Sequence, residues 1–568
     1  MTNVDVVTRV ILQAVSSTFH GVELQVNEDN GNRMPTLHEF AEQHNLDSKQ
    51  SIAFQVICSS FMLSILCKDT NLNLSNVQQC ITLLLQKNGE KKQLIMCLTG
   101  IAGSGKTYVI KCCHEYCKKF CQATGNIFKG SLFALTALTK VQASHLNGLS
   151  IQNAALLNQR KVSFGSISEI NWKKTSLLVI DGISMATNKL LYTLDKHLRT
   201  FTGNDDFMYG GINIVFVGDF MQCCPIVGKP LYEDVGDIHW HGSLNACIFL
   251  DEVKHRFKND VEWGEIIQRI QVGHITESDI NKINTRVVGN VHLPNLVDCN
   301  ETRVAYACGT NEVRNEVIKR CFHRYIYENS PPFDSNLQPS PNVLMLKCNV
   351  TSRGAYMSQQ FHYLFWTICA DNNVISKAGE TIDPSLKLFY GCPLMITSNC
   401  GVTKNVQQGS IVNYIGIRWK NGYGPKEEEY FGYKLMTGLV TEVDALYVRT
   451  SGGITVEIKP YTFSVIIKFP DTDDDIRGLT VQQFGVKLAV AESVEMLQGL
   501  TKDIVIVTEP NKQDIFWLYV VLSRVTTLRG LYLLQPLDIN VFSSIPRAVF
   551  QEVSWLKSLE QDFRRHII

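Results

Sequence analysis

The stretch GIAGSGKT, Gly100 to Thr107, satisfies the pattern G-x-x-x-x-G-K-[ST]. The apolar run LIMCL before it reads as a strand, and the amphipathic segment after it reads as a helix. In that setting Gly100, Gly103 and Gly105 let backbone N–H groups wrap a chain of phosphates. Lys106 reaches the terminal phosphates, and the Thr107 hydroxyl is a ligand for Mg²⁺. The ligands such a cradle implies are ATP and Mg²⁺.

A second apolar run, SLLVI, ends on Asp181, the natural outer partner of that Mg²⁺. The residue after it is Gly182, where a second carboxylate would ordinarily supply a general base. A third run, INIVFV, leads into VGDFMQ, which places Asp219 at a strand end and Gln222 three residues on. An amide there suits sensing a terminal phosphate or orienting water.

The elements that must carry these residues follow from hydrophobic patterning. LIMCL, SLFAL, SLLVI and INIVFV alternate with longer, partly helical segments between residues 93 and 219, the texture of buried parallel strands in an α/β sheet. A second set, RVAYAC, DIVIV and GLYLL, predicts a second α/β lobe. Residues 411 to 469 are rich in β-branched and aromatic residues with Gly-containing turns, which predicts a small antiparallel unit inserted in that lobe. Pro331, Pro332, Pro339 and Pro341 mark an exposed loop.

The chain has 568 residues, long enough for several units with large cores. Its 54 basic and 54 acidic residues cancel, so a polyanion must be held by a local groove and not by a generally basic surface. The N-terminal stretch does not read as a secretory signal, which points to an intracellular protein with its 18 cysteines as free thiols. The most apolar window, Ser51 to Cys67, is interrupted by Gln55 and several serines and reads as a buried helix; no membrane association is expected. Cys113, Cys117 and Cys121, spaced by four, line one helix face, and no structural zinc is expected.

Taken in order, the motifs resemble the superfamily-one DNA helicases of the Pif and RecD type, in particular the helicase portion of Helitron-like elements, over about residues 46 to 534. LDSKQSIAF resembles the adenine-reading segment, with Gln50 as the contact. LTALTKVQASHLNGLSIQ is similar to the first DNA-contacting motif, which places Thr136, Thr139 and Lys140 near a single strand. YGGINIVFVGDFMQCCPIV is the longest match. DEVKHRF corresponds to a segment that supplies Arg256, QQFGVKLAVAESVEMLQGLT to one that brings Gln498 and Gly499 to the nucleotide, and YVVLSRVTTLRGL to one with Arg524 as an arginine finger.

The resemblance implies two RecA-like P-loop lobes with parallel sheets and a small SH3-like β-insert. The expected organisation is a helical segment over 1–85, a first lobe over 86–250 with a wedge near 153–175, a second lobe over 251–410 and 476–568, and the insert over 411–475. It also implies 5′ to 3′ movement on single-stranded DNA driven by ATP hydrolysis, by a chain working as a monomer in the nucleus or wherever DNA is replicated.

Three departures bear on activity. Gly182 stands where the family has the glutamate that activates water, and loss of a positioned base typically slows such a step by about 10²- to 10⁴-fold. Glu495 and Met496 stand where His or Asn and then Lys are usual. Gln152 and Phe257 replace a histidine and a glutamine. Two readings follow: a DNA helicase with slow or rescued turnover, or a degenerate one that acts as an ATP-gated DNA binder. A small-molecule P-loop kinase has no need of a second lobe with these motifs.

Overall fold

The computed structural model describes residues 34–66, 93–123, 126–157, 159, 168–253, 256–292, 304–333, 343–352, 365–366, 374–377, 380–399, 401–402, 406–468, 475–543 and 545–567. The chain forms two units: residues 1–275, 515–523 and 542–568 make the first, and residues 276–514 and 524–541 the second. Among the described residues, no helix is long and apolar enough to cross a membrane.

The first unit opens with α1 (Leu37–Gln43), started by a capping box in which Thr36 and Glu39 exchange hydrogen bonds of 3.2 and 2.8 Å. The apolar window predicted as a buried helix is α2 (Ser48–Leu66), whose Phe54, Cys58 and Phe61 are fully buried. It packs on α3 (Lys106–Ala123), and Cys113, Cys117 and Cys121 line the buried face of α3 as their spacing requires; Cys117 Sγ lies 3.9 Å from Cys58 Sγ.

Beside these helices lies a six-stranded sheet of order β3-β2-β4-β5-β1-β6 in which every pair is parallel. Its strands are β1 (Ile95–Gly100), β2 (Phe133–Ala137), β3 (Leu149–Ser150), β4 (Leu177–Asp181), β5 (Asn213–Gly218) and β6 (Ala246–Leu250). Four of them are the runs marked by sequence; β3 and β6 close the edges. Helices α4 (Lys140–His145), α5 (Asn188–Thr202) and α6 (Val261–Gln271) complete this part. Within the stretch expected to carry a wedge, residues 158 and 160–167 lie outside the described residues.

The second unit contains α7 (Glu277–Asn284), β7 (Val304–Ala307) and α8 (Asn311–Asn329), then a long run of strands. These are β8 (Val343–Lys347), β9 (Asn349–Ser352), β10 (Val374–Ile375), β11 (Thr381–Ile382), β12 (Ser385–Phe389), β13 (Pro393–Ile396) and β14 (Ile411–Trp419). They continue with β15 (Lys426–Tyr430), β16 (Tyr433–Leu439), β17 (Val443–Arg449), β18 (Thr455–Ile458), β19 (Tyr461–Lys468), β20 (Asp475–Gln483) and β21 (Val486–Leu488). The predicted parallel sheet is present, with order β22-β7-β23-β24, where β22 is Ala491–Glu492, β23 Ile504–Val507 and β24 Leu531–Leu533. The β-rich region is wider than the 411–475 expected. β14 pairs with β13, β13 with β21, and β16 runs parallel to β8, so strands from 343 to 488 belong to it. Most of the proline-marked loop, residues 334–342, lies outside the described residues.

The chain then returns to the first unit with α9 (Ile515–Leu522), every residue of which is buried, and α10 (Arg547–Ile567). Glu552 of α10 accepts the Trp240 indole N–H at 2.8 Å and meets His241 Nε2 at 2.9 Å, which fixes α10 to the segment before β6.

A cluster of buried charge sits in the second unit. Glu492, with no exposed surface, lies 3.9 Å from Lys487 Nζ, and burial lowers the pKa of Lys487 and of Lys502 while Glu492 opposes both shifts. Removing one partner from such a pair leaves an uncompensated buried charge. Glu492→Gln is therefore expected to destabilise the second unit by about 3–5 kcal/mol, read as a lower urea midpoint at unchanged slope. A midpoint equal to wild type would refute the pairing.

Candidate active site

The loop from β1 to α3 turns through Gly103 at φ +86° and Gly105 at φ +88°, the left-handed region in which side chains are strained. Space forbids a side chain as well. A Cβ on Gly103 would lie 2.1 Å from Arg256 Cδ, and one on Gly105 would lie 2.5 Å from Gln50 Nε2. Two residues expected at the nucleotide from distant segments are thus packed on the loop itself.

Gln50 donates from Nε2 to the Ser104 carbonyl at 2.9 Å and is oriented by paired bonds with Asp47 at 2.9 and 3.1 Å. Arg256 donates from Nη2 to the Ser523 carbonyl at 2.6 Å. Burial draws its guanidinium down to about 10, which leaves it charged at neutral pH.

Lys106 donates from Nζ to the Gly100 and Ile101 carbonyls at 2.7 and 3.0 Å, which centres a cation on the loop. The Ser104 hydroxyl is buried with no partner among the described residues. A cation, an orphaned hydroxyl and glycines that tolerate no Cβ fit a polyphosphate. The Thr107 hydroxyl and the Asp181 carboxylate are hard oxygen donors of the kind Mg²⁺ takes. Burial raises the Asp181 pKa to about 6, opposed by the Gly182 N–H and the Lys106 charge.

Asp219, at the end of β5, anchors a network. Its carboxylate accepts the Met221 N–H at 3.0 Å, the Gln222 amide at 3.2 Å and the Tyr519 hydroxyl at 3.2 Å, and Tyr519 in turn accepts the Ala102 N–H of the phosphate loop at 2.8 Å. Gln222, expected to sense phosphate, is therefore joined to the loop through Asp219 and Tyr519. Tyr519 belongs to no sequence expectation. The one signal for it is a phenol in an otherwise apolar buried run, IFWLYVVL, since a buried hydroxyl needs a partner.

At the end of β4, Gly182 adopts φ 84° and ψ 27° and donates its N–H to Val217 O at 2.9 Å and to Asp181 Oδ1 at 2.8 Å. β2 is the neighbour of β4, with Ala137 opposite Asp181, and the Leu138 N–H reaches the Asp181 carbonyl at 3.0 Å. The segment after β2 therefore lies over Gly182. A Cβ on Gly182 would come within 2.6 Å of Gln142 Oε1. Gln152, in the place of a histidine, donates to the Leu138 carbonyl at 3.1 Å and holds that segment.

Residues 73–243 match the family model described as PIF1-like helicase. Over that stretch the chain is similar to the Pif1-type helicases. The ATP-dependent DNA helicase PIF1 of Xenopus laevis is 23% identical over 450 residues, which is 76% of this chain and 58% of that protein. The PIF1 helicase of Saccharomyces cerevisiae (strain YJM789) is 27% identical over 240 residues, 38% of this chain and 27% of that protein. The match thus spans from about a quarter to somewhat over half of these curated relatives. Among solved structures, Pif1 from Candida albicans has a TM-score of 0.56 at 19% identity, covering 82% of this chain and 95% of that one. Pif1 from Bacteroides, in complex with ADP-AlF3 and ssDNA, has a TM-score of 0.55 at 19% identity, covering 85% and 97%. The fold is that of these helicases, with a six-stranded parallel sheet, helices and further antiparallel sheets.

Against this Pif1-type frame the remaining expected residues fall into two groups. Thr139 and Lys140 are half-buried at the start of α4. Thr136 is a correction: it is fully buried, and its hydroxyl donates to Val179 O at 2.6 Å, so it braces β2 against β4 and offers DNA no surface. In the second unit Arg524 is buried and donates from Nη1 to the Leu500 and Leu497 carbonyls at 3.1 and 3.5 Å. These carbonyls flank Gln498, whose buried Oε1 has no partner among the described residues, and Gly499, at φ 82°.

The geometry at Gly182 sets the outcome of restoring the missing carboxylate. A non-glycine residue in the left-handed region is disfavoured by about 1–2 kcal/mol. Gly182→Ala isolates that strain, and Gly182→Glu adds displacement of Gln142. Both variants are expected to melt below wild type, the glutamate variant lower; equal melting temperatures for all three would contradict the backbone assignment.

Proposed function

We propose that this chain binds Mg-ATP at the loop between β1 and α3 and uses its hydrolysis to move 5′ to 3′ along single-stranded DNA. The observation that carries this reading is the convergence of Gln50, Arg256 and Tyr519, from three distant segments, on a loop that already holds Lys106 beside Asp181. It is supported by relatives named ATP-dependent DNA helicases and by a Bacteroides neighbour described with ADP-AlF3 and ssDNA.

In this reading Gln50 faces the adenine, and the loop N–H groups with Lys106 take the phosphates. Thr107 and Asp181 would hold Mg²⁺, which when bound neutralises phosphate charge. Gln222 senses the terminal phosphate through the Asp219 network, Arg256 and Arg524 supply fixed positive charge to the developing phosphate, and Gln498 and Gly499 complete the nucleotide contacts. Thr139 and Lys140 face the DNA backbone. With no net charge to attract DNA, the strand is held by local contacts and its affinity falls with salt. The chain works as a monomer inside the cell, in the nucleus or at the site of DNA replication.

A second reading, an ATP-gated DNA binder with little turnover, is favoured by one observation: the residue after Asp181 is a left-handed glycine with no side chain to take a proton.

Steady-state ATP hydrolysis with and without poly-dT separates the two. The motor reading expects stimulation by DNA and a drop of at least about 100-fold in Lys106→Ala. Tight ATP binding that changes DNA affinity without turnover would establish the second reading. Failure to bind either ligand would refute both.

A further inference from the structure

Resting on the nucleotide site proposed above, we infer that the Gln142 carboxamide occupies the position of the missing second carboxylate and orients the water that attacks ATP. The volume that a side chain on residue 182 would enter is already filled. Gln142 Oε1 lies 2.6 Å, and its Cδ and Nε2 each 3.2 Å, from a Cβ built on Gly182. The amide comes from another strand connection, brought there because β2 and β4 are neighbours and Leu138 is bonded to Asp181 O.

The side chain is held in place. Thr139 caps α4 by accepting the Gln142 N–H at 3.2 Å, and its hydroxyl donates to Gln142 Oε1 at 3.0 Å. That leaves Nε2 with no partner among the described residues, on a residue only 5% exposed. Nε2 keeps an accessible face, so a water can be met there by its N–H. Next to the strand end that carries Asp181, the water assigned to that N–H is the attacking one.

An amide can donate to and accept from water, and side-chain amides orient attacking water in other phosphate hydrolases. It takes no proton at neutral pH. In the step assigned here the water oxygen forms a bond to the γ-phosphorus and the bond from that phosphorus to the β,γ-bridging oxygen breaks. ADP departs with the electron pair, and the water proton passes to a γ-phosphate oxygen, giving ADP and inorganic phosphate. Gln142 fixes the water's direction, and the absence of a base keeps the step slow.

The test compares wild type, Gln142→Ala and the isosteric Gln142→Glu. ATP turnover is measured on poly-dT, and affinity is measured for ADP and for ADP with fluoroaluminate, a mimic of the transferring phosphoryl group. Gln142→Ala is expected to lower kcat at least about tenfold at little-changed KM, and to lose about tenfold in fluoroaluminate-complex affinity while ADP affinity is kept. Gln142→Glu, which supplies a base, is expected to raise kcat by about 10²-fold or more.

Wild-type kcat and fluoroaluminate affinity in Gln142→Ala would overturn the inference. So would equal losses for ADP and its fluoroaluminate complex, which mark a structural strut. Should Gln142→Ala fail to fold, Gln142→Glu decides: no rise in kcat, or in fluoroaluminate affinity relative to ADP, overturns it. A wild-type chain that binds no ADP removes the nucleotide site and this inference together; one that binds ADP and is indifferent to residue 142 removes this inference alone.

Discussion

Parallel pairing in register, strand by strand across the first sheet, is the constraint on which the site depends. Gly100 stands opposite Leu250, Thr99 opposite Gly218, and Asp181 opposite both Val217 and Ala137. Parallel strands must all end on the same edge, so the phosphate loop, the metal-holding aspartate, the Asp219 turn and the segment from Leu138 to Gln142 emerge side by side. A slip of one residue in any pair would turn that strand's side chains to the opposite face and carry one of these groups away. Burial on both faces of the sheet is what resists such a slip.

Much of this was legible in the chain. The phosphate loop announces itself through spacing, and seven of the parallel strands through short apolar runs, because a strand buried on both faces has no polar side to present. Gln50 and Arg256 are legible only through resemblance, and both lie against the loop glycines. Thr136 was misplaced for a simple reason: a motif gives a residue's order along a strand but not which face it points to, and alternate residues face opposite ways.

What stayed hidden is non-local. Tyr519 sits more than 400 residues after Ala102, and its bond exists because residues 515–523 belong to the first unit while the segments on either side of them belong to the second. The width of the β-rich region was hidden for the same reason, since the pairing of β8 with β16 joins segments about ninety residues apart. Gln142 reads as one polar residue in a short helix until the order β2-β4 is known. Strand order, which periodicity does not encode, turns it into a neighbour of Gly182.

The exchange of a carboxylate for an amide at this place also has an electrostatic side. Asp181 is already held above the ordinary carboxylate range by burial, with Lys106 and one backbone N–H in opposition. A second carboxylate beside it would add like-charge repulsion that only a bound divalent cation offsets. A neutral amide fills the same space without that repulsion and leaves Asp181 as the sole acidic group contributed by this strand end. Glycine at 182 follows as the local condition: without a side chain of its own it leaves room for one arriving from α4. Gly182 and Gln142 are therefore one structural choice made at two positions, and each is intelligible only with the other in place.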